Sequence, residues 1–368
     1  MNKSHNTDFS LLIKPVSYRC NLNCRYCFYL EKEQFFGSAA TISQHVLEQL
    51  VSDFMSTSQA NYAFAWQGGE PTLAGLDFYR EAVRLMQKYG ASGKNVSNGF
   101  QTNGSLLDDE WAGFFAQYRF LLGVSVDGPV QIHDTNRVNR SGSGTHAAVI
   151  RGIEALRRHQ VEFNVLTLVN STNVEEPLSV YRYLRDDLHV NFHQYIECVE
   201  FDQKGKLQPF AITAEKWGEF LCTIFDEWYQ FDTRRVSVRL FDSILHRIVT
   251  GQPNTCAMSK ECGQYLVVEH DGGVYPCDFF VRPELKLGIV GKQPLLSMLN
   301  SPKAREFAKR KSKVPAMCRN CRFYRFCAGD CPKNRFENHS LLCAGWKIFY
   351  EHALDRLLEL AEGIKNSR

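Results

Sequence analysis

Three cysteines fall within eight residues near the start of the chain, Cys20, Cys24 and Cys27 in the stretch CNLNCRYCFY. Thiolates are soft ligands, and four of them close a tetrahedral ion or a cubane iron-sulfur cluster, whose four irons each take one outside ligand. Three thiolates leave one iron of a cubane open to bind something else. The triplet follows an apolar β-type run, LLI at residues 11–13, so it belongs at the carboxyl end of a strand, where parallel α/β folds build their active sites. By spacing alone the same residues could be buried thiols or part of a zinc site.

A second group crowds the last third of the chain. It comprises Cys256 and Cys262, then Gly272 and Cys277, then Cys318, Cys321, Cys327 and Cys331, and finally Cys343. Eight thiolates are enough for two four-iron clusters or for two tetrahedral zinc sites. The thirteen cysteines then divide into three, four and four, and Cys198 and Cys222 are left over as buried thiols. Polar residues stand beside these groups and at other strand ends. Gln67, Gly68, Gly69 and Glu70 open the segment QGGEP, Ser125 and Asp127 lie in GVSVDGP with Arg137 beyond them, and Asp278 directly follows Cys277. A glycine pair by itself marks only a tight turn.

The elements that must position these residues are legible as alternating patterns. Strand candidates are 10–16, 63–67, 96–101, 120–126, 163–169, 191–198 and 236–240. Between them Ile42, Val46, Leu47, Leu50, Val51 and Phe54 recur at helical spacing, and 76–89 and 147–159 repeat the pattern. Strand, helix, strand repetition implies an α/β fold with a parallel sheet, doubly wound or curled into a full or partial barrel. No GxGxxG follows a strand, which argues against a dinucleotide fold. Near Leu240 the pattern changes, and from Cys256 the chain is turn-rich and cysteine-rich. A polar stretch over 202–215 reads as a loop, and the run from Cys343 to Leu360 as a closing amphipathic helix.

Composition excludes some function classes. At 368 residues and 44% hydrophobic, the chain suggests about two domains. A formal charge of +3 calls for no nucleic-acid partner, and the basic run KAREFAKRKSK, Lys303 to Lys313, reads as a solvated helix face. The opening MNKSHNTDFS has no apolar core, and no apolar run reaches membrane-spanning length. The expectation is a cytoplasmic protein with no membrane partner, whose clustered, odd-numbered cysteines serve metal or redox chemistry rather than disulfides.

The CxxxCxxC spacing, with Tyr26 before the last cysteine, resembles the radical S-adenosylmethionine superfamily. In that superfamily the amino and carboxylate groups of S-adenosyl-L-methionine chelate the open iron of a [4Fe-4S] cluster, and its reductive cleavage yields a 5′-deoxyadenosyl radical. The resemblance implies that Gly68, Gly69 and Glu70 form the turn holding the methionine amino group, and that Ser125, Asp127 and Arg137 lie near the nucleoside and the methionine carboxylate. The second cysteine group resembles the SPASM extension of radical enzymes that modify peptides and proteins. It implies two auxiliary [4Fe-4S] clusters, one on Cys256, Cys262, Cys277 and Cys331, the other on Cys318, Cys321, Cys327 and Cys343, for three clusters in all. The fold implied is a partial (β/α)6 TIM-like barrel over 1–240, followed by a smaller cysteine-rich SPASM domain and C-terminal helix over 241–368.

The segments LLIKPVSYRCNLNCRYCFY, FAWQGGEPTLAG, QTNGSL, VSVDGP and VYPCDFF narrow the resemblance to the anaerobic sulfatase-maturating enzymes. These oxidise a cysteine or serine of a sulfatase to Cα-formylglycine without oxygen. The implied partners are a sulfatase polypeptide carrying Cys/Ser-x-Pro/Ala-x-Arg and an electron donor such as flavodoxin or ferredoxin. Asp278 matches the catalytic base, and Tyr29, Gln67 and Gln101 match residues lining the substrate pocket. Burial is expected to raise the pKa of Asp278. Two other classes fit parts of the pattern: a SPASM maturase forming thioether or other crosslinks in a peptide, and a non-catalytic zinc module.

Overall fold

The computed structural model describes residues 8–38, 40–202 and 204–366. Twelve strands occur among the described residues, and the first ten along the chain are β1 (Ser10–Ile13), β2 (Asn61–Trp66), β3 (Asn95–Thr102), β4 (Leu121–Ser125), β5 (Phe163–Val169), β6 (Phe192–Glu197), β7 (Ser237–Val238), β8 (Tyr265–Val268), β9 (Gly273–Tyr275) and β10 (Gly288–Ile289). All seven strands expected from the sequence are present, β5 with the expected ends and the others with shifted ones. The chain divides into two compact units, one of Met1–Val124, Val138–Phe163 and Gly263–Ala308, the other of Ser125–Arg137, Asn164–Cys262 and Lys309–Arg368.

In the first unit the strand order is β10-β9-β8-β1-β2-β3-β4. β1 runs parallel to β2 on one side and to β8 on the other, with Leu11 opposite Phe64 and Leu266. Helices α1 (Gln44–Met55), α2 (Leu76–Tyr89), α3 (Asp109–Tyr118) and α4 (His146–Arg158) supply the crossovers. Ser43 caps α1 by accepting from the Val46 N–H at 3.3 Å. Leu47, Leu50, Val51 and Phe54 then form its buried face, and the Phe54 ring meets Phe9, Tyr62 and Phe64. Each such side chain taken fully out of water contributes roughly 2 kcal/mol. β8 lies late in the chain, yet it has the apolar pattern of a central strand, and all but Tyr265 of its residues are buried. Its pairing with β1 carries residues 263–308 into this unit.

The second unit holds the parallel trio β5-β6-β7, with Val165 opposite His193 and Phe192 opposite Ser237. It also contains helices α5 (Ala214–Phe231), α6 (Arg239–Thr250) and α7 (Cys343–Asn366). α5 and α7 approach closely because Gly345 has no side chain, a Cβ there falling 2.0 Å from the Ala214 carbonyl. Phe225, Phe241 and Phe349 pack where the three helices meet. Residue 203 of the polar stretch lies outside the described residues; 204–212 are non-helical, and Thr213 caps α5.

The basic run differs from expectation at one residue. Its helix, Pro302–Lys309, stops early, and Lys303, Arg305, Lys309 and Arg310 are exposed as expected. Lys311 is only 1% exposed. Its ammonium donates to the Cys256 and Ala257 carbonyls, which offset the cost of burying a charge. Among the described residues no helix is long and apolar enough to cross a membrane.

Candidate active site

The cysteine triplet lies on the loop after β1, and backbone contacts on both sides hold that loop. Arg140 donates to the Cys20 carbonyl at 2.8 and 3.1 Å, and the Asn23 N–H donates to the Val138 carbonyl at 2.8 Å. The Leu22 N–H points at Cys20 Sγ from 3.3 Å and the Asn103 side-chain amide from 3.7 Å. Donors aimed at sulfur suit a thiolate ligand. Burial, and then the charge of Glu70, pushes the Cys20 thiol up to about 12, so at neutral pH it would lose its proton only when its sulfur binds a strong Lewis acid. The donor set therefore fits a cluster iron.

The QGGEP turn rests directly on this loop. Gly69 donates to the Ser17 carbonyl at 2.6 Å and Glu70 to the Arg19 carbonyl at 2.8 Å. A Cβ at Gly69 would sit 2.0 Å from the Arg19 oxygen, and Gly68 has φ +135 with its Cβ position 2.8 Å from the Ser17 oxygen. Only glycine allows this approach. The Glu70 carboxylate is fully buried and accepts from the Thr72 N–H and hydroxyl, the Thr102 hydroxyl and the Asn103 N–H at 2.8–3.1 Å. Burial still raises its pKa against these bonds.

Asp278 lies at the centre of a buried polar group in the same unit. Tyr29 donates its hydroxyl to Oδ2 at 2.7 Å, and the Gln67 amide reaches the same oxygen and the Tyr29 hydroxyl at 3.2 Å. The Lys14 ammonium pairs with Oδ1, and the Lys32 ammonium lies 3.5 Å from Oδ1 and 3.0 Å from the Asp278 carbonyl. Glu269, also fully buried, lies 3.4 Å from Lys14. Gln67 and Gln101 each follow one of the paired residues Trp66 and Phe100, at the carboxyl ends of β2 and β3. Tyr29, Gln67 and Asp278 are thus brought together.

The expected rise in the Asp278 pKa is overturned. Burial pushes it up, but Lys14 and Lys32 and the hydrogen bonds from Lys14 and Tyr29 outweigh burial and hold it at about 2. Burial, helped by the charge of Lys14, brings Lys32 down to about 7. Sequence reading missed Lys14, Lys32 and Glu269. Lys14 and Glu269 did carry a signal, since each is a charge that abruptly ends an apolar strand, in LLIKP and LVVEH.

Ser125, Asp127 and Arg137 lie in the second unit. Asp127 is buried, accepts from the Leu168 N–H at 3.2 Å and lies 4.0 Å from Arg137. In the same unit Cys318, Cys321, Cys327 and Cys343 line one cavity together with the aromatic residues Phe323, Tyr324, Trp346 and Tyr350. Four thiols around an aromatic-walled space fit a four-iron cluster. Burial pushes Cys327 up to about 11. Cys256, Cys262 and Cys331 also fall in the second unit, whereas Cys277 falls in the first, its sulfur 3.4 Å from the Tyr265 hydroxyl. None of the thirteen cysteines is in a disulfide; Cys198 is buried and Cys222 half-buried.

Comparison with known proteins bears on the whole constellation. The radical SAM superfamily matches residues 15–184, and the SPASM iron-sulfur cluster-binding domain matches residues 256–322. The chain is 38% identical over 367 residues to the serine-type anaerobic sulfatase-maturating enzyme of Bacteroides thetaiotaomicron, covering 93% of this chain and 88% of that one. It is 36% identical over 368 residues to the cysteine-type enzyme of Clostridium perfringens, covering 97% and 99%. The chain belongs to the anaerobic sulfatase-maturating enzymes. A solved structure described as native anSMEcpe with bound AdoMet and Cp18Cys peptide matches it with a TM-score of 0.90 at 36% identity, over 97% of this chain and 99% of that one. The family and the α/β fold expected from the motifs agree with these matches. As a radical SAM protein with an iron-sulfur cluster-binding domain, this family member works with S-adenosylmethionine and [4Fe-4S] clusters.

Proposed function

We propose that the chain oxidises one cysteine or serine of a sulfatase polypeptide, within Cys/Ser-x-Pro/Ala-x-Arg, to Cα-formylglycine. The observation that carries this reading is the convergence of Tyr29 and Gln67 on Oδ2 of Asp278, next to the cluster-type residue Cys277, in a member of this family. Cys20, Cys24 and Cys27 would hold one cluster, and Gly68, Gly69, Glu70, Ser125, Asp127 and Arg137 the S-adenosylmethionine. Cys256, Cys262, Cys277 and Cys331 would hold a second cluster, and Cys318, Cys321, Cys327 and Cys343 a third. When bound, S-adenosylmethionine and its cluster would supply removal of a hydrogen atom from the substrate's Cβ, an auxiliary cluster would take the second electron, and water would hydrolyse the thioaldehyde formed from a cysteine, releasing hydrogen sulfide.

This chain's own residues orient the substrate and take its proton. Tyr29, Gln67 and Gln101 line the pocket, and Oδ2 of Asp278 accepts the proton of the substrate thiol or hydroxyl. With Asp278 held at about 2 and an ordinary thiol near 8.5, transfer to Asp278 from a resting cysteine is uphill by about 9 kcal/mol. The proton therefore moves with or after loss of the Cβ hydrogen, when the thiol has become far more acidic. Residues 1–240 would carry the radical chemistry and 241–368 the auxiliary clusters, in a cytoplasmic enzyme supplied with electrons by a flavodoxin- or ferredoxin-like donor.

The test is mass spectrometry of peptides bearing Cys-x-Pro-x-Arg or Ser-x-Ala-x-Arg after reaction with reduced protein and S-adenosylmethionine. Formylglycine in either peptide supports the reading. Formation of 5′-deoxyadenosine with both peptides unconverted would sink it.

A further inference from the structure

The group around Asp278 contains one side chain whose position the sheet dictates. β1 and β8 are paired in parallel with Ile13 opposite Val268, so the next residues, Lys14 and Glu269, leave adjacent strand ends side by side. The Lys14 N–H extends the ladder by one bond, donating to the Val268 carbonyl at 2.9 Å. The Lys14 side chain is fully buried, and Gly68 of the cofactor turn packs against it, its Cβ position 3.4 Å from Lys14 Cβ. The ammonium lies against Asp278 Oδ1, 3.4 Å from Glu269 and 4.6 Å from the centre of the Tyr29 ring. Its charged and titratable partners among the described residues form one buried set: Asp278, Glu269, Tyr29 and Lys32.

A buried ammonium held between two carboxylates could do no more than stabilise the fold. The geometry is more specific than that, because Lys14 occupies one oxygen of Asp278 and leaves the other to Tyr29 and Gln67. An ion pair at Oδ1 opposes rotation of the carboxylate, so Lys14 helps Oδ2 keep the direction in which Tyr29 and Gln67 meet it. We propose that Lys14 is a positioning residue for the oxidation, fixing the Asp278 carboxylate so that Oδ2 is aimed at the substrate's acidic proton, with Glu269 as the counter-charge that keeps Lys14 in place.

This inference rests on Asp278 being the base, and the experiment separates the two. Formylglycine formed per 5′-deoxyadenosine, together with iron content, is measured for Lys14→Met, Asp278→Asn and the double variant in the full chain. Lys14→Met is expected to lower that ratio at least tenfold with iron retained, and to lower it no further in the Asp278→Asn background, since a residue acting through another adds nothing once that other is gone. A merely structural role would instead lower iron, deoxyadenosine and formylglycine together, with the ratio kept. If Asp278→Asn loses formylglycine while Lys14→Met couples as the unmodified chain does, Lys14 is not a positioning residue although Asp278 remains the base. If Asp278→Asn also keeps its coupling, the base assignment itself is wrong. Should Lys14→Met fail to fold because Glu269 is left unpaired, Lys14→Met with Glu269→Gln carries no lone buried charge and is read the same way. Failure of both to hold iron makes Lys14 a folding residue and overturns the proposal.

Discussion

Tyr29 and Asp278 are 249 positions apart in sequence, and the hydroxyl of one donates to Oδ2 of the other at 2.7 Å. The loop after β1 carries the first, and the turn after β9 the second. Pairing of β8 with β1 brings the two ends together. The polar group around Asp278 is therefore built by the sheet, and its parts can be removed singly.

Asp278→Asn keeps the size and hydrogen-bonding reach of the side chain and removes its basicity. Formylglycine should fall at least tenfold, a loss of about 1.4 kcal/mol of transition-state stabilisation, while 5′-deoxyadenosine still forms with substrate peptide. Product at the unmodified rate with equal iron would assign the proton to Tyr29 or to water.

Tyr29→Phe retains the ring beneath Lys14 and Lys32 and deletes one hydrogen bond to an ionised carboxylate, worth about 2 kcal/mol. Formylglycine formation should slow roughly tenfold or more in single-turnover measurements. An unchanged rate would show that Gln67 and Lys14 suffice to hold Asp278.

Gly69→Ala tests the proposed cofactor role of the QGGEP turn by sterics alone. Its new methyl would lie 2.0 Å from the Arg19 carbonyl, whereas a methyl at Gly99 meets nothing within 4 Å. Gly69→Ala should abolish 5′-deoxyadenosine formation and Gly99→Ala should not. Equal rates for the two would mean that the turn can move away at no functional cost.

Cluster content should follow the three cysteine groups. Anaerobically reconstituted protein should hold about twelve irons, four per cubane, and replacing Cys20, Cys24 and Cys27 together by alanine should remove a third of them. Cys24→Ala should form no 5′-deoxyadenosine, while Cys331→Ala should form some and give little formylglycine. Stoichiometric zinc with little iron would contradict the whole assignment.

His193 sets a pH dependence of stability. Burial holds its pKa at about 4, against the raising effect of the Val190 carbonyl and Asp232 and with a further lowering by Arg185. The ring is satisfied as the neutral form, with Nε2 2.8 Å from the Val190 carbonyl and Nδ1 3.2 Å from the Tyr195 hydroxyl. A folded pKa below the unfolded value means that the stabilisation is fully present above pH 6.5 and lost as the pH falls through 4. Urea unfolding should therefore lose about 3 kcal/mol across that window from this group. His193→Gln should flatten the slope by one proton; an unaltered slope would place the titration elsewhere.

Local chemistry sufficed for much of this protein. The helix over 76–89 was legible at both ends, because a 3.6-residue apolar period lies within the segment itself. The cysteine triplet and the QGGEP turn were legible because ligand spacing and glycine requirements are properties of a few consecutive residues. The surroundings of Asp278 were not. Lys14, Lys32, Glu269 and Asp278 lie in separate segments, and only strand pairing makes them neighbours. The direction of the Asp278 shift depends on that meeting, since burial alone would have raised the pKa and two buried ammonium groups reverse it. Lys311 follows the same rule: the sequence shows a basic run, but the Cys256 and Ala257 carbonyls that let one of its lysines leave water come from another segment. What a residue is and how it is spaced is written locally, whereas the charges that face it are assembled by long-range packing.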